Sequence, residues 1–397
     1  PFFRHYGPDL TGIFCGDGGA YGYKAEITLR LVPAPEHEDW ASFEFSTPQA
    51  CGEAMSAMMR ANIACEIFGF DPNLQRARMK RASLMADAKA LGNVVKEQGS
   101  LLKGLKEGAK VALAGRAFLD QGAYSLHVVV EGRSKAAVEA DMAALKDIAA
   151  RHNGKQVENS IPKIVRANPF TPLNNILGPE GERWAPIHGI VPVSEGPDAL
   201  AAIDALFDAM SEEFETLGIQ GGILLTSLGA NGFLIEPVFT WPSELFEIHK
   251  RTVEPGHLAK LKRFEPNPQA MAGVQKARQA VLDIFARHGA AHFQIGRTYP
   301  FKETRRKETW ALLEKIKQAV DANGLVNPGA LGFNPAPTAA PADGKMHVRN
   351  PRTGEKDYAF TPVDAQMMRR KAENMRKAQE AWRALPFSER AARMTRL

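Results

Sequence analysis

The chain has 397 residues, of which 44% are hydrophobic and 24% are charged, and its formal net charge is +5. This composition is typical of a protein with two or more folded domains and excludes a largely disordered chain. No apolar run approaches the ~18 residues of a membrane-spanning helix, so we expect a cytoplasmic protein that does not contact a membrane.

Strand and helix signals alternate through the first half of the chain. A glycine-rich loop over 16–22 leads into an alternating apolar pattern that predicts a strand over 23–32. Further strands are predicted over 41–45, 63–69 and 124–131, and helices over 48–62, 72–106 and 134–154. Thr47 and Ser134 stand where N-caps are favoured, before two of these helices.

The second half adds a hairpin to this pattern. Asn231-Gly232, in the turn of a predicted hairpin over 221–240, is a strong short-range hairpin signal. Residues 162–182 are predicted to be irregular; strands are predicted over 184–193 and 291–297, and helices over 200–217, 267–288 and 305–323. Hairpins with helices on one side predict an α+β fold in which helices cover an antiparallel sheet.

A Pro/Ala segment over 334–344 separates these elements from a different C-terminal piece. Such a segment favours extended backbone and is typical of a linker. Residues 345–397 hold 13 Lys and Arg against 6 Asp and Glu, whereas residues 1–344 hold 37 against 39. The cations alternate with apolar residues on predicted helices from 362 and from Ser388. This pattern indicates a solvent-exposed helix face or a homo-oligomer contact, and we expect no nucleic-acid partner.

Two motifs resemble one family of flavoenzymes. The string DLTGIF-CGDGGAYGY-KAEITLRLVP over 9–33 and the string DANGLVNPG over 321–329 resemble FAD-linked oxidases of the vanillyl-alcohol oxidase and p-cresol methylhydroxylase superfamily, which includes glycolate and D-lactate dehydrogenases. The resemblance implies that residues 1–36 end an FAD-binding domain and that residues 37–333 form the substrate domain, or cap domain.

The resemblance also implies the cofactor and its contacts. FAD would be bound in part by Gly18, Gly19, Gly22, Tyr23 and Asn327. The glycine-rich loop that holds the FAD phosphates in this family would lie upstream of Pro1, so we expect the chain alone to bind FAD weakly. Taken without the resemblance, the loop over 16–22 is read either as a phosphate cradle or as a tight turn before a strand.

Two departures from the family restrict the chemistry. The 2-hydroxy-acid branch carries a histidine-rich metal motif, but residues 226–233 read TSLGANGF, and the three cysteines show no metal-ligand spacing, so we expect no metal. The phenol-oxidising branch has an adjacent Tyr-Arg pair, whereas Arg297 and Tyr299 are separated by one residue. A strand over 291–297 would place His292 and Gln294 on one face and Arg297 and Tyr299 on the other. All four are candidate catalytic residues.

His188 is the fifth candidate catalytic residue. In related oxidases a strand at this position lies near the flavin. The histidine is therefore read as a base, a hydrogen-bond partner or a flavin attachment site, with a purely structural role as the alternative. Arg166, Arg183 and Lys163 nearby are candidates for holding a carboxylate.

The C-terminal piece resembles a second family. Residues 348–358, VRNPRTGEKDY, and residues 382–390, WRALPFSER, are similar in type and order to the N-terminus of NAD(P)-dependent aldehyde dehydrogenases. The resemblance implies that residues 345–397 begin such a domain, with its catalytic residues beyond Leu397.

Together these features predict a bifunctional oxidoreductase. The first part would oxidise an alcohol with FAD, and the second would oxidise the resulting aldehyde with NAD(P). One alternative is a glycolate or D-lactate type of 2-hydroxy-acid dehydrogenase, and another is a non-catalytic cap or assembly module. The expected partner is a small alcohol or hydroxy acid.

Overall fold

The computed structural model describes residues 8–77, 123–167, 170, 172–322, 324–333, 345–349, 353, 355–361 and 365–394. The linker predicted over 334–344 and most of the helix predicted over 72–106 lie outside these residues. The chain divides into two compact units, one of residues 1–25 and 294–397 and the other of residues 26–293. Among the described residues, no helix combines the length and the apolar character that crossing a membrane requires.

The unit of residues 26–293 is built on one antiparallel sheet. Its strands are β1 (His37–Phe45), β2 (Glu66–Phe70), β3 (Tyr124–Gly132), β4 (Lys155–Val157), β5 (Arg183–Pro186), β6 (Gly189–Pro192), β7 (Gln220–Leu228) and β8 (Gly232–Trp241). The spatial order is β4-β1-β3-β2-β7-β8-β5, and β6 also pairs with β8. Helices cover this sheet, so the predicted α+β class is confirmed.

The helices are short to medium in length. In chain order they are α1 (Leu10–Phe14), α2 (Pro48–Ala61), α3 (Lys135–Arg151), α4 (Ser160–Ala167), α5 (Gly196–Ala209), α6 (Ser211–Leu217), α7 (Glu247–Thr252), α8 (Pro255–Leu258), α9 (Pro268–Arg287), α10 (Lys307–Val320), α11 (Ala365–Ala384) and α12 (Phe387–Met394). In the described part of the chain, 3₁₀ turns cover Leu173–Ile176 and Ala330–Gly332. A hairpin of β9 (Met346–Arg349) and β10 (Lys356–Phe360) precedes α11.

The two faces of the sheet differ in chemistry. On one face Phe45 lies against the end of α3, because a Cβ added at Gly154 would meet its ring at 2.6 Å. Alternation then places the buried Phe43, Leu126 and Val128 on that same face. The opposite face, which we call the polar face, carries Ser42, Glu44, Ser125 and His127 of β1 and β3. Helix α4 crosses the polar face, since Lys163 lies over the Trp40 ring, 5.8 Å from its centroid.

Local sequence signals predicted where several helices begin. Thr47 accepts a hydrogen bond from Ala50 N–H at 3.2 Å, and Pro48 is the first residue of α2, as predicted. Asn267 caps α9 in the same way, accepting from Ala270 N–H at 3.0 Å. Ser134 precedes α3, but its side chain makes no capping bond. The hairpin of β7 and β8 is confirmed, with Gly229 supplying the positive φ of its turn.

Other predicted elements were wrong. Residues 23–32 form no strand: Leu29 and Leu31 are 77% and 90% exposed, and no strand of the described chain pairs with them. Alternation alone is insufficient, because a strand needs a partner for its backbone groups. The strand predicted over 184–193 is split into β5 and β6 at Ile187–His188. The stretch predicted to be irregular, 162–182, includes most of α4, and the helix predicted over 200–217 is divided into α5 and α6.

Candidate functional site

Asp17 organises the glycine-rich loop. Its buried carboxylate accepts hydrogen bonds from Gly19 N–H and Tyr21 N–H, each at 3.0 Å, and pairs with Lys24. Burial alone would raise the pKa of Asp17, but the Lys24 ammonium and the two backbone donors together hold it below its usual range. Ala20 N–H donates to Asp17 O at 3.0 Å. The amides of 19–21 are therefore already bonded to Asp17 and are not directed at an external phosphate.

Three residues expected to contact the cofactor meet in this loop. Gly18 and Gly19 have φ of 59° and 76°, a region that favours glycine. Asn327 donates from Nδ2 to Gly18 O at 2.6 Å. The structure thus brings Gly18, Gly19 and Asn327 together, although Gly18 and Asn327 are 309 positions apart in sequence. Gly22 O accepts from Lys24 Nζ at 3.3 Å, whereas Tyr23 is 88% exposed.

A buried lysine joins the same two segments. Lys317 of α10 is 7% exposed and donates to Ala20 O, to Asp321 Oδ2 at 2.6 Å and to Val326 O at 2.9 Å. Asp321 also accepts from Leu325 N–H and Val326 N–H, and these bonds, with Lys317 first, lower its pKa to about 2. We call Lys317 and Asp321 the clasp. It holds the turn over 321–329 against the glycine-rich loop.

Tyr21 completes this cluster on its apolar side. It is buried, and its ring lies edge-on to Phe14 and Phe333, with centroids 6.2 and 5.5 Å away. Burial, with a smaller effect of Asp17, raises the pKa of Tyr21 to about 12. The tyrosine is therefore neutral at physiological pH and acts as a packing residue.

The strand predicted over 291–297 does not exist, and the two-face arrangement inferred from it is wrong. Gln294 and Gly296 both have φ of 51°, which breaks an extended strand; only Ala291 forms a bridge, to Ile190. Gln294 is exposed. Arg297 is also exposed and donates to Pro328 O. Tyr299 is buried. The catalytic roles of these three residues remain predictions.

His188 and His292 do lie together. Nδ1 of His292 donates to His188 O at 2.7 Å, and the two rings are 6.3 Å apart. Nε2 of His188 lies 2.6 Å from Phe293 O and 3.2 Å from Phe293 N. The His188 ring also stacks on the Phe293 ring, with the two centroids 3.8 Å apart. Burial, and then the neighbouring His292, lower the pKa of His188 to about 4. His188 is therefore a neutral histidine bonded to backbone.

The geometry separates the two histidines chemically. Because His292 donates from Nδ1, its neutral form carries the lone pair on Nε2, and the ring is half-buried. His188 instead has Nε2 at the Phe293 backbone. Because burial lowers the pKa of His188 to about 4, His188 is a poor proton acceptor near neutral pH. The role of His292 as a base remains a prediction.

The basic residues proposed to hold a carboxylate have other neighbours. Arg166 is ion-paired with three glutamates, Glu38, Glu66 and Glu131. The guanidinium of Arg183 lies 3.8 Å from the centroid of the Phe246 ring. No group of three or more potential metal ligands occurs among the residues that the structure describes.

Sequence reasoning missed Asp17, the clasp and the polar face. The i,i+4 spacing of Lys317 and Asp321 is visible in the sequence and is typical of an ion pair on a helix. The hydrogen bonds from Lys317 to Ala20 O and Val326 O, however, depend on how the chain folds. Ser42 and His127 are 85 residues apart and meet only through strand register.

The sequence profile of FAD linked oxidases, C-terminal domain, matches residues 34–222 and 295–331, which is more than half of the chain. The solved structure of p-cresol methylhydroxylase with substrate bound is 16% identical, with a TM-score of 0.51, and the match covers 83% of this chain and 59% of that chain. This likeness supports the shared fold. No curated protein sequence matches the chain.

Two further structures are similar at lower scores. Alkyldihydroxyacetonephosphate synthase is 14% identical, with a TM-score of 0.47 and coverage of 81% of this chain and 50% of that one. The isoeugenol complex of 4-ethylphenol oxidase from Gulosibacter chungangensis is 12% identical, with a TM-score of 0.44 and coverage of 77% and 56%. The chain spans about half the length of the solved relatives it matches. On the profile match, the chain belongs to the family of FAD linked oxidases, C-terminal domain.

Proposed function

We propose that the chain supplies the substrate-binding cap of an FAD-dependent oxidoreductase that oxidises a primary alcohol to an aldehyde. The observation that carries this proposal is the profile match over 34–222 and 295–331. In such a reaction the substrate loses a hydride from carbon and a proton from its hydroxyl group. FAD, when bound, supplies the hydride acceptor. A protein base must take the proton, and His292 is the better candidate.

The glycine-rich loop fits only part of FAD. Its amides are bonded to Asp17, and the carboxylate itself would repel a phosphate, so the FAD phosphates do not fit there. Gly18 is exposed and has no side chain, and a Cβ at Gly19 would meet only Asn327 Nδ2, at 3.7 Å. Because these glycines have no side chains, a flat group could approach their backbone closely. Gly18, Gly19 and Asn327 would form the surface that it contacts.

Charge favours an alcohol over a 2-hydroxy acid. A hydroxy acid needs a cation for its carboxylate, but Arg166 is already paired with three glutamates and Arg183 lies against an aromatic ring. The aldehyde-dehydrogenase resemblance of residues 345–397 supports the same choice, since an aldehyde product could be oxidised further with NAD(P). We also propose that the protein is cytoplasmic and that it forms a homo-oligomer.

The test is reduction of the flavin by substrate. In the protein at its natural length, kept under anaerobic conditions, primary alcohols are expected to bleach the flavin absorbance, whereas D-lactate and glycolate leave it unchanged. Added NAD(P) should then form NAD(P)H only with the alcohols. Bleaching by D-lactate but not by the alcohols would contradict the proposal and favour the hydroxy-acid alternative.

A further inference from the structure

Helix α4 is attached to the sheet largely through its cations. Glu38 and Trp40 lie on the polar face, because alternation along β1 places them with Ser42. Lys163 of α4 lies over the Trp40 ring, and Asn159, just before α4, donates from Nδ2 to Trp40 O at 2.8 Å. One end of α4 is thus held by a cation–π contact and a neutral hydrogen bond.

The other end of α4 is held by a single arginine. The Arg166 guanidinium is ion-paired with one glutamate from each of three adjacent strands, namely Glu38 of β1, Glu131 of β3 and Glu66 of β2. Nη1 of Arg166 lies 3.0 Å from Glu66 Oε1, and Nη2 lies 3.7 Å from Glu38 Oε1. Glu38 and Glu131 are register partners, so their carboxylates approach the guanidinium from neighbouring strands. We call these four residues the Arg166 anchor.

The remaining contacts of α4 bury few apolar side chains. Among the α4 side chains that the structure describes, Pro162 alone is buried, and Val165 is 43% exposed. A helix of eight residues is not stable on its own in water, because its first four amides have no helical partner. The attachment of α4 to the sheet therefore depends mainly on the Arg166 anchor.

Salt weakens an anchor of this kind. All four side chains are half-buried, so dissolved ions can screen their charges. Each such ion pair contributes little by itself, and three pairs on one guanidinium amount to about a tenfold preference for the attached state at low salt. The strands beneath α4 are joined by backbone hydrogen bonds and buried apolar side chains, which salt affects much less.

We propose that α4 is a strap that leaves the polar face as a unit while the sheet stays folded, and that ionic strength controls how often it opens. Opening uncovers Trp40 and its register partner Val129, which is fully buried in the closed state. The three glutamates of the anchor border this surface. In the closed state the strap covers it with Lys163 and Arg166, its own cations.

The test is hydrogen exchange of the α4 backbone in the full 397-residue chain. Exchange is followed by mass spectrometry in about 0.05 M and about 1 M potassium chloride, with the amides of α3 as the internal reference. At the higher concentration the amides over 164–167 should exchange about tenfold faster, whereas those of α3 keep their rate. Unchanged exchange in α4 would overturn the proposal. Equal acceleration in both helices would overturn it too, because the whole fold would then be loosening.

Arg166→Ala removes the anchor and should open the strap without added salt. In the lower salt concentration α4 should exchange about tenfold faster than in the wild type, and further salt should change this rate little. Arg151→Ala is the matched control, because Arg151 is ion-paired with Asp147 within α3. The control should leave exchange in α4 and its salt dependence unchanged. Wild-type salt dependence in Arg166→Ala would contradict the role of the anchor.

Arg166→Lys separates charge from shape. Lysine keeps the positive charge but lacks the planar fork that reaches several carboxylates at once. Exchange in α4 should therefore lie between the wild-type and Arg166→Ala rates and should still rise with salt. Exchange as fast as in Arg166→Ala, with no salt dependence, would overturn release of the strap by salt.

The salt series on the wild-type chain needs no variant, so it decides the proposal even if Arg166→Ala fails to fold. It also needs neither flavin nor substrate. The strap therefore stands or falls independently of the proposed function.

Discussion

At the scale of single residues, buried charges hold the glycine-rich loop in place. Asp17 bonds two backbone amides of the loop, and Lys317 ties Ala20 to the turn over 321–329. Neither residue binds or reacts in the account proposed above. Both fix the backbone of Gly18 and Gly19, which are expected to approach the cofactor.

The clasp leads to a stability prediction. Lys317→Met leaves Asp321 without its ammonium partner and frees Ala20 O and Val326 O from their donor. Losing one partner of a buried ion pair is strongly destabilising. We expect a lower urea midpoint, measured by tryptophan fluorescence, since Trp310 lies in the same helix and stacks on Phe333 at 4.7 Å.

Lys315→Met is the control for that change. Lys315 is an exposed residue on the same helix, so its replacement should leave the midpoint nearly unchanged. Equal effects of the two substitutions would show that the clasp contributes nothing beyond a surface charge.

Asp71 makes stability depend on pH. It is buried, accepts from Ile223 N–H at 2.7 Å and from Leu74 N–H at 2.9 Å, and burial raises its pKa to about 6. Because the folded pKa exceeds the unfolded value of about 3.9, ionisation favours the unfolded chain. The stabilising contribution is complete below about pH 4 and is lost as the pH rises through 6.

Asp71→Asn should remove this dependence. From pH 4 to 7, the wild-type free energy of unfolding should fall by about 2 kcal/mol relative to the variant, which is most of what a shift of roughly two pKa units implies. Urea unfolding at a series of pH values measures it. Asp208→Asn, at an exposed position, should reproduce the wild-type curve. If the free energy of unfolding of Asp71→Asn followed the same pH dependence as that of the wild type, ionisation of Asp71 would not destabilise the fold.

At the scale of elements, predictions succeeded where the signal was local. Thr47 and Asn267 place the starts of α2 and α9 because a cap acts through its own helix. The strands 23–32 and 291–297 failed for non-local reasons. The first has no pairing strand in the described chain, and the second is broken at Gln294 and Gly296 by positive φ.

The candidate site shows the same division. Family motifs indicated Gly18, Gly19 and Asn327, and the structure brings these three residues together. The hydrogen bond between Ser42 and His127 could not be predicted, because these residues become neighbours only through the register of β1 and β3. Register depends on the whole sheet and on the helices that cover it.

The crossing of α2 and α5 gives a prediction for packing. A Cβ at Gly52 would lie 2.8 Å from Pro197 Cα, a backbone atom that no side-chain rotation can move away. Gly52→Ala should therefore destabilise the protein by about 1–3 kcal/mol, despite the better helix propensity of alanine. Gly256→Ala is the matched control, because nothing lies within 4 Å of its added Cβ. If both variants unfold at the wild-type urea midpoint, the two helices are not in close contact.

At the scale of the whole molecule, the chain continues beyond the residues that match the family. The profile match ends at residue 331, whereas the hairpin of β9 and β10 and helices α11 and α12 follow it. Helix α11 has exposed apolar side chains, including Met368 and Met375. We propose that residues 345–397 begin an aldehyde dehydrogenase domain, which would oxidise the aldehyde with NAD(P).

A truncation tests this division of labour. In the protein at its natural length, removal of everything after Phe333 should leave bleaching of the flavin by alcohols intact and abolish NAD(P)H formation. Adding a separate aldehyde dehydrogenase to the truncated protein should restore NAD(P)H. Full NAD(P)H formation by the truncated protein alone would contradict the assignment of residues 345–397.

The most direct test of the central claim is the cofactor itself. The protein at its natural length is purified, its visible spectrum is recorded, and the flavin is identified by mass spectrometry after denaturation or, if covalently attached, after proteolysis. The account predicts a yellow protein with about one FAD per chain. A correctly folded, colourless protein that stays colourless when FAD is added would contradict it.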